Sequence, residues 1–333
     1  MKKQTEIGLV FLATVLAYLL LVVALQFVSP PPYLRLIIVQ LVVVLPTAVY
    51  LLIKKENLKE GIRLKKMRLL NVPLLMVFAF LILPFLAICN AISMLFSNNV
   101  ISGSVETIIS DRPLWLSLVL IALIPCILEE TVYRGMFYNE FRKENPCMAI
   151  ILSGLLFGLM HMNFNQFVYA FALGCILPLV IEATDSILSS MVIHFTINAN
   201  SVIWMYLIPK LVEWVQKMLQ EAAESGDAAA EALIKNSGLT GGELEQTLGN
   251  VQMNPAALLS AIGFYGVVSV ITVFLAFLLY RSIAKEAGRW EYVCNIFGKK
   301  TAVEKNVTSL FSLPLGLGMA ICFGFMLVTQ LVA

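Results

Sequence analysis

The sequence predicts an all-α protein, a polytopic transmembrane helical bundle with about nine spans. Of its 333 residues, 59% are hydrophobic and only 13% are charged, whereas soluble domains carry about 25% charged residues. The mean hydropathy is +0.87, and the apolar residues fall into runs close to the roughly 20 residues that span a bilayer. The bilayer is therefore the expected surrounding, and a net charge of +2 gives no indication of a nucleic-acid partner.

Nine apolar runs are the candidate spans. They cover residues 7–28, 36–53, 69–96, 114–134, 147–162, 166–183, 187–209, 256–280 and 308–332. We divide the chain into N-terminal membrane helices (1–112), a four-span core (113–209), an outer connector (210–255) and C-terminal membrane helices (256–333). Apolar residues share one helical face within 210–224, so this part of the connector could lie in the membrane interface.

The distribution of basic residues predicts the orientation. Most of the 23 Lys and Arg residues fall in the segments before span one, between spans two and three, between spans four and five, and between spans eight and nine. Because Lys and Arg are enriched in cytoplasmic loops, the N-terminus is predicted to be cytosolic. The first apolar run is too long for a signal peptide, and we expect it to be retained as a helix.

Charged residues inside the membrane are concentrated in the core. Glu129 and Glu130 lie within the fourth span, with Arg134 one turn later. A charge at bilayer depth costs about 2.5–3.5 kcal/mol on insertion scales and is often functional. Glu130 and Arg134 are spaced i, i+4 and can form an ion pair, which leaves Glu129 on a different face.

Both histidines of the chain lie in the same core. His161 follows Asn145 by as many residues as Glu129 precedes it, so a hairpin with its turn at Asn145 places them at the same depth. His194 and Asn198 are spaced i, i+4 and share a helical face, as do Phe157 and His161. Taken singly, each histidine could be an ordinary interhelical hydrogen-bonding group, but their convergence with the glutamates predicts a site.

The rest of the chain carries weaker signals. Glu182 and Asp185 lie at the predicted end of the sixth span, and we expect them to be solvated helix ends. Spans one to three, eight and nine carry no charged residue, and we interpret them as flanking helices. The six cysteines show no CxxC spacing, which does not favour a thiolate zinc site.

Three motifs resemble one known family. Residues 129–134 (EETVYR) are similar to its EExxxR motif, residues 157–161 (FGLMH) to its FxxxH motif, and residues 194–198 (HFTIN) to its HxxxN motif. The family is the CPBP (CAAX protease and bacteriocin-processing, Abi) family, the bacterial relatives of the type II CAAX prenyl endopeptidase. The resemblance covers roughly residues 113–200.

The resemblance implies an intramembrane peptidase with four catalytic residues, which are Glu129, His161, His194 and Asn198. It implies that Glu129 activates a water molecule with the help of His161, and that His194 and Asn198 stabilise the oxyanion. It also implies supporting roles for Glu130 and Arg134, and we expect Phe157 to support the site by packing against the ring of His161. The expected partners are the lipid bilayer and a membrane-associated peptide or protein substrate, and the motif style indicates a bacterial plasma membrane.

The chemistry and the activity each keep alternatives open. Glu129, His161 and His194 could hold zinc with an open fourth position, but the chain lacks HExxH and Asn is a poor zinc ligand, so both metal-dependent and metal-free hydrolysis stay possible. A catalytically silent membrane scaffold of the same fold is one alternative function. A proton-coupled transporter is another, disfavoured because no internal repeat is visible.

Overall fold

The computed structural model describes residues 3–55, 58–97, 109, 112–230, 232, 255–297 and 310–332. Nine principal helices account for most of these residues, and no strand occurs among them. They are α1 (Lys3–Phe27), α2 (Pro32–Lys54), α3 (Asn71–Met94), α4 (Leu114–Phe141), α5 (Pro146–Leu159), α6 (Phe164–Thr184), α7 (Ile187–Glu224), α8 (Pro255–Glu286) and α9 (Leu313–Val332). Eight of the nine are long and apolar enough to cross a membrane, and α5 is shorter at 14 residues. The predicted all-α polytopic fold is confirmed.

Helix α4 is not a uniform α-helix. Two π-helical stretches, Leu118–Leu123 and Thr131–Tyr138, flank the α-helical segment Ile124–Glu130. Such wide turns are rare and frequently occur at functional sites. Here they lie on both sides of the segment that ends with Glu129 and Glu130.

Helices α5 and α6 form a tightly packed antiparallel pair. The side chain of Asn145 accepts a hydrogen bond from the backbone N–H of Met148 and caps α5, which begins with Pro146. A Cβ atom added to Gly174 would lie 2.7 Å from the Cα of Gly154. The absence of side chains at both glycines therefore lets the two helices approach closely.

Two groups of helices cover the core formed by α4–α7. One apolar cluster joins α1, α2 and α9 to α4 and α5, and includes Phe11, Phe137 and Leu156. A second cluster joins α3 and α8 to α6 and α7, and includes Leu75 and Leu177. The core thus has packed partners on both sides, and large apolar residues remain exposed on the outer faces, where lipid is expected.

Helix α7 continues well past the predicted end of the seventh span. Its 38 residues correspond to about 57 Å at 1.5 Å per residue, compared with roughly 30 Å for the hydrocarbon layer. Residues 210–224, predicted as a separate element that could lie in the interface, are a continuation of this helix, with Leu211, Trp214 and Met218 exposed. Most of the remaining connector lies outside the described residues.

Glu182 is buried, which contradicts the expectation that it is a solvated helix end. Its side chain is 1% exposed and contacts Arg63 at 2.6 Å, Arg142 at 2.8 Å and Arg289 at 3.4 Å. The hydroxyl of Tyr138 donates a further hydrogen bond at 2.9 Å. The prediction failed because these four partners come from segments distant in sequence, which fold over the end of α6.

Asp185 extends this polar cluster towards solvent. It forms ion pairs with Arg63 and Lys65 and lies 3.8 Å from Arg289. Burial alone would raise the pKa of the Asp185 carboxyl, but its hydrogen bonds to Lys65 and Arg63 outweigh that effect and lower the pKa to about 2. The cluster joins four segments at one end of the bundle, and all four are predicted to be cytosolic. Which side of the membrane this end faces stays a prediction.

Candidate active site

Glu129 and His161 line the same cavity, which has a volume of about 80 Å³. Since one buried water requires about 10–15 Å³ of such space, the cavity has room for several water molecules. Glu129 comes from α4 and His161 from the turn that follows α5. The other lining residues are Tyr18, Val39, Gln40, Val43, Tyr133, Phe157 and Met160.

The Glu129 carboxylate is held from two sides. The amide nitrogen of Gln40 donates a hydrogen bond to Oε1 at 2.7 Å. The other oxygen, Oε2, lies 3.8 Å from Nε2 of His194. The side chain is 17% exposed, so the carboxylate is partly accessible within the bundle and is held between α2 and α7.

His194 connects the two glutamates of α4. Its Nδ1 lies 2.9 Å from Oε1 of Glu130, and the histidine side chain is 4% exposed. Because a carboxylate only accepts hydrogen bonds, Nδ1 carries a proton in this contact. The contact with Glu130 therefore fixes the ring, and Nε2 is the nitrogen on the side of Glu129.

Arg134 is the fully buried counterion of Glu130. Its Nη1 lies 3.0 Å from Oε1 of Glu130, and both side chains are 0% exposed. The angles do not meet hydrogen-bond geometry, and none of the three guanidinium nitrogens has a well-directed partner among the described residues. We therefore treat the contact as a close ionic one, supplemented by the stacking of the guanidinium over the Phe157 ring at 4.3 Å.

Phe157 contacts both histidines of the site. Its ring lies edge-to-face against His161 at 4.9 Å and against His194 at 5.8 Å, measured between ring centroids. Its carbonyl oxygen lies 2.8 Å from Nδ1 of His161 and accepts the hydrogen bond from it. Nε2 of His161 is then the ring nitrogen that can accept a hydrogen bond from water in the neutral form.

Asn198 lies one turn beyond His194 but is not among the lining residues of this cavity. Its amide nitrogen is 3.5 Å from the carbonyl oxygen of Ile121, at the long limit of a hydrogen bond. Ile121 belongs to the first π-helical stretch of α4. In the part of the chain that the structure describes, Asn198 therefore makes a weak contact near the site, and its role in oxyanion stabilisation stays a prediction.

The interpretation of α1 and α2 as merely flanking helices is wrong. Helix α2 supplies Gln40 as a direct partner of Glu129, and α1 supplies Tyr18 to the cavity wall. One sequence signal could have found Gln40, because it is the only polar residue between positions 36 and 46. A buried amide in an apolar span requires a hydrogen-bonding partner.

The arrangement does not match a ready zinc site. Among the described residues, no group of three His, Cys, Asp or Glu side chains is placed to hold a metal ion. Glu129 uses Oε1 for Gln40 and each histidine uses Nδ1 for another partner, which leaves Oε2 and both Nε2 atoms as the groups that could bind a metal, so the metal-dependent alternative stays a prediction. We therefore assign no reaction step to a metal.

Comparison with known proteins identifies the segment that contains these residues. Residues 111–200 match the family model of the type II CAAX prenyl endopeptidase Rce1-like proteins. No curated protein and no solved structure matches the chain. The resemblance derived from the three motifs is confirmed over this segment, which is less than a third of the chain. At the level of the family, the match supports an intramembrane CAAX-type protease.

Proposed function

We propose that this chain, which carries the Rce1-like peptidase segment at residues 111–200, hydrolyses a peptide bond of a membrane-associated protein or peptide. The observation that supports the proposal is the cavity that Glu129 and His161 share, which has room for water between the helices of the bundle. The finer proposal is that Glu129 is the general base, and that hydrolysis proceeds without an acyl-enzyme.

The first step is attack by water. Glu129 takes a proton from a water in the cavity, and Nε2 of His161 accepts a hydrogen bond from the same water and orients it. The water oxygen then forms a bond to the substrate carbonyl carbon. This use of His161 follows from its Nδ1 hydrogen bond to Phe157, which leaves Nε2 as the acceptor.

The second step stabilises the charge on the carbonyl oxygen. His194 already donates through Nδ1 to Glu130, so it can also donate through Nε2 only as an imidazolium. That form balances the two carboxylates of Glu129 and Glu130 together with the guanidinium of Arg134. Asn198 supplies a second donor once it gives up its weak contact with Ile121. Each such donor is worth about 2.7–4 kcal/mol.

The third step releases the products. The tetrahedral intermediate collapses, the bond between carbon and nitrogen breaks, and the proton held by Glu129 passes to the leaving amine. Glu130, Arg134 and Phe157 hold the two histidines during these steps through the contacts described above. Phe157 also lines the cavity, but none of the three residues exchanges a proton in this scheme.

The test compares membrane-associated peptides from cells that carry wild-type protein, Glu129→Gln or Glu213→Gln. Glu213 is exposed on the extension of α7, so its substitution controls for loss of a carboxylate at equal expression. We expect Glu129→Gln to accumulate an uncleaved substrate and Glu213→Gln to match wild type. Farnesylated and unmodified versions of the accumulated peptide, offered to purified enzyme, then establish whether a prenyl group is required.

The same comparison separates the alternative functions. Identical peptide profiles for wild type and Glu129→Gln would refute the peptidase. An unchanged profile accompanied by altered proton-coupled flux would favour a transporter, and no change in either would favour a scaffold. The eight apolar helices and the family match support a multi-pass membrane location, and we propose a bacterial plasma membrane.

A further inference from the structure

Gln40 is an isolated polar residue at membrane depth outside the family segment. It lies in the middle of α2 (Pro32–Lys54), and its neighbours from 36 to 46 are all apolar. The residue is 9% exposed. An amide in such a position lowers stability unless it is hydrogen-bonded, so Gln40 requires a partner inside the bundle.

That group is the carboxylate assigned above to water activation. The amide nitrogen of Gln40 lies 2.7 Å from Oε1 of Glu129, and both residues line the cavity. Since the carboxylate can only accept, the amide nitrogen is necessarily the donor. The contact crosses 89 positions of sequence and joins the N-terminal helices to the family segment.

The contact has a directional consequence. The terminal torsion of a glutamate side chain is broad and weakly restricted. Locking Oε1 at 2.7 Å to Gln40 leaves Oε2 as the second oxygen, 3.8 Å from Nε2 of His194. A primary amide neither gains nor loses a proton in the ordinary pH range, so it can orient the base without competing for the proton that the base accepts.

We infer that Gln40 is a positioning residue of this active site, which holds Oε1 of Glu129 so that Oε2 takes the proton from water. The inference rests on the proposed function. It assigns a catalytic requirement to α2, which the family match at residues 111–200 does not include. The segment carrying the three motifs is then an incomplete active site without the N-terminal helices.

The kinetic test uses purified full-length protein and the substrate identified by the peptide comparison. Gln40→Met keeps the side-chain length and removes the donor. Thr47→Val is the matched control, because Thr47 is also a buried polar residue two turns further along α2 and its replacement preserves shape. The loss of a hydrogen bond to a charged group corresponds to about a 10- to 100-fold change in a rate or equilibrium constant. We expect Gln40→Met to lower kcat by that factor with KM within about twofold of wild type, and Thr47→Val to change neither.

A thermal double-mutant cycle tests the contact independently of activity. Gln40→Met is measured in the wild-type background and in Glu129→Met, which has no carboxylate to accept the bond. We expect Gln40→Met to lower Tm in the first background and to have at most half that effect in the second, because interacting residues are not additive.

The outcomes separate the inference from the proposed function. The inference is overturned if Gln40→Met has the same kcat as Thr47→Val. It is also overturned if Gln40→Met lowers Tm equally in the wild-type and Glu129→Met backgrounds, because that result indicates packing alone. Wild-type protein without any Glu129-dependent cleavage overturns the proposed function and, with it, the positioning role. Cleavage that depends on Glu129 but not on Gln40 leaves the function in place and refutes only the inference.

Discussion

Replacing Glu182 by Gln removes the anion around which one end of the bundle is assembled. The side chain is 1% exposed and accepts contacts from Arg63 at 2.6 Å and Arg142 at 2.8 Å, with Arg289 at 3.4 Å. These arginines come from the segment before α3, the segment after α4 and the segment after α8. Glutamine preserves the shape but places an NH2 group against guanidinium groups that can only donate.

The expected loss is large because the charge is buried. Removing one partner of a buried ion pair costs about 3–5 kcal/mol, since it leaves the opposite charge uncompensated. Three guanidinium groups are affected here, although Asp185 still neutralises part of their charge. We therefore expect a loss of about 3–5 kcal/mol, which for a chain of this length corresponds to a decrease in Tm on the order of 4–7 °C.

The assay is thermal unfolding of purified protein in one detergent, with Glu221→Gln as the control. Glu221→Gln removes the same charge, but Glu221 is exposed and its distance to Lys217, 3.9 Å, is long for an ion pair. Its replacement should therefore cost less than about 1 kcal/mol. If Glu182→Gln and Glu221→Gln unfold within about 1 °C of each other, the cluster does not hold this end of the bundle together.

Three further predictions concern packing, pH and the site. Gly174→Ala should cost about 1–3 kcal/mol through overpacking, because its new Cβ would lie 2.7 Å from the Cα of Gly154; Gly263→Ala, which meets nothing within 4 Å, should not lower Tm. The pKa of Asp185 is lowered to about 2, from 3.8 for an ordinary aspartate. Its ion pairs therefore stabilise the fold above pH 3.8 and lose that effect as the pH falls towards 2. The decrease in Tm over that pH range should be smaller in Asp185→Asn than in wild type. Asn198→Ala should lower kcat by about 10²–10³ if its amide stabilises the oxyanion, and a kcat within twofold of wild type would remove it from the mechanism.

Most of the helical framework could be predicted because lipid imposes a simple requirement on sequence. An apolar run of sufficient length satisfies its own backbone only as a helix, so the third span, predicted over 69–96, is found as Asn71–Met94. The same rule does not specify where a helix ends outside the bilayer. Helix α7 continues to Glu224 although its last residues do not form an apolar run. The π-helical stretches of α4 are also unreadable, because they differ from an α-helix only in backbone pairing.

The candidate site was predictable to the extent that it depends on spacing within one helix. The spacing of Glu130 and Arg134 predicts an ion pair, and the structure places them 3.0 Å apart. The contact between Glu130 and His194 depends on how α7 is rotated against α4, which no local pattern specifies. Gln40 was missed for a related reason, because its polarity was visible but its partner lies 89 positions away.

The two adjacent glutamates have different surroundings, and the proposed mechanism gives them different roles for that reason. Glu130 is 0% exposed and contacts the guanidinium of Arg134 and the ring of His194. These two fixed partners neutralise its charge. Glu129 is 17% exposed, borders the cavity and has a neutral amide, Gln40, as its close partner. A base needs access to water and a partner that does not compete for the proton, and only Glu129 meets both conditions. The two residues lie on different faces of α4, as their spacing predicts, and the N-terminal helices supply Gln40 and Tyr18 only on the side of Glu129.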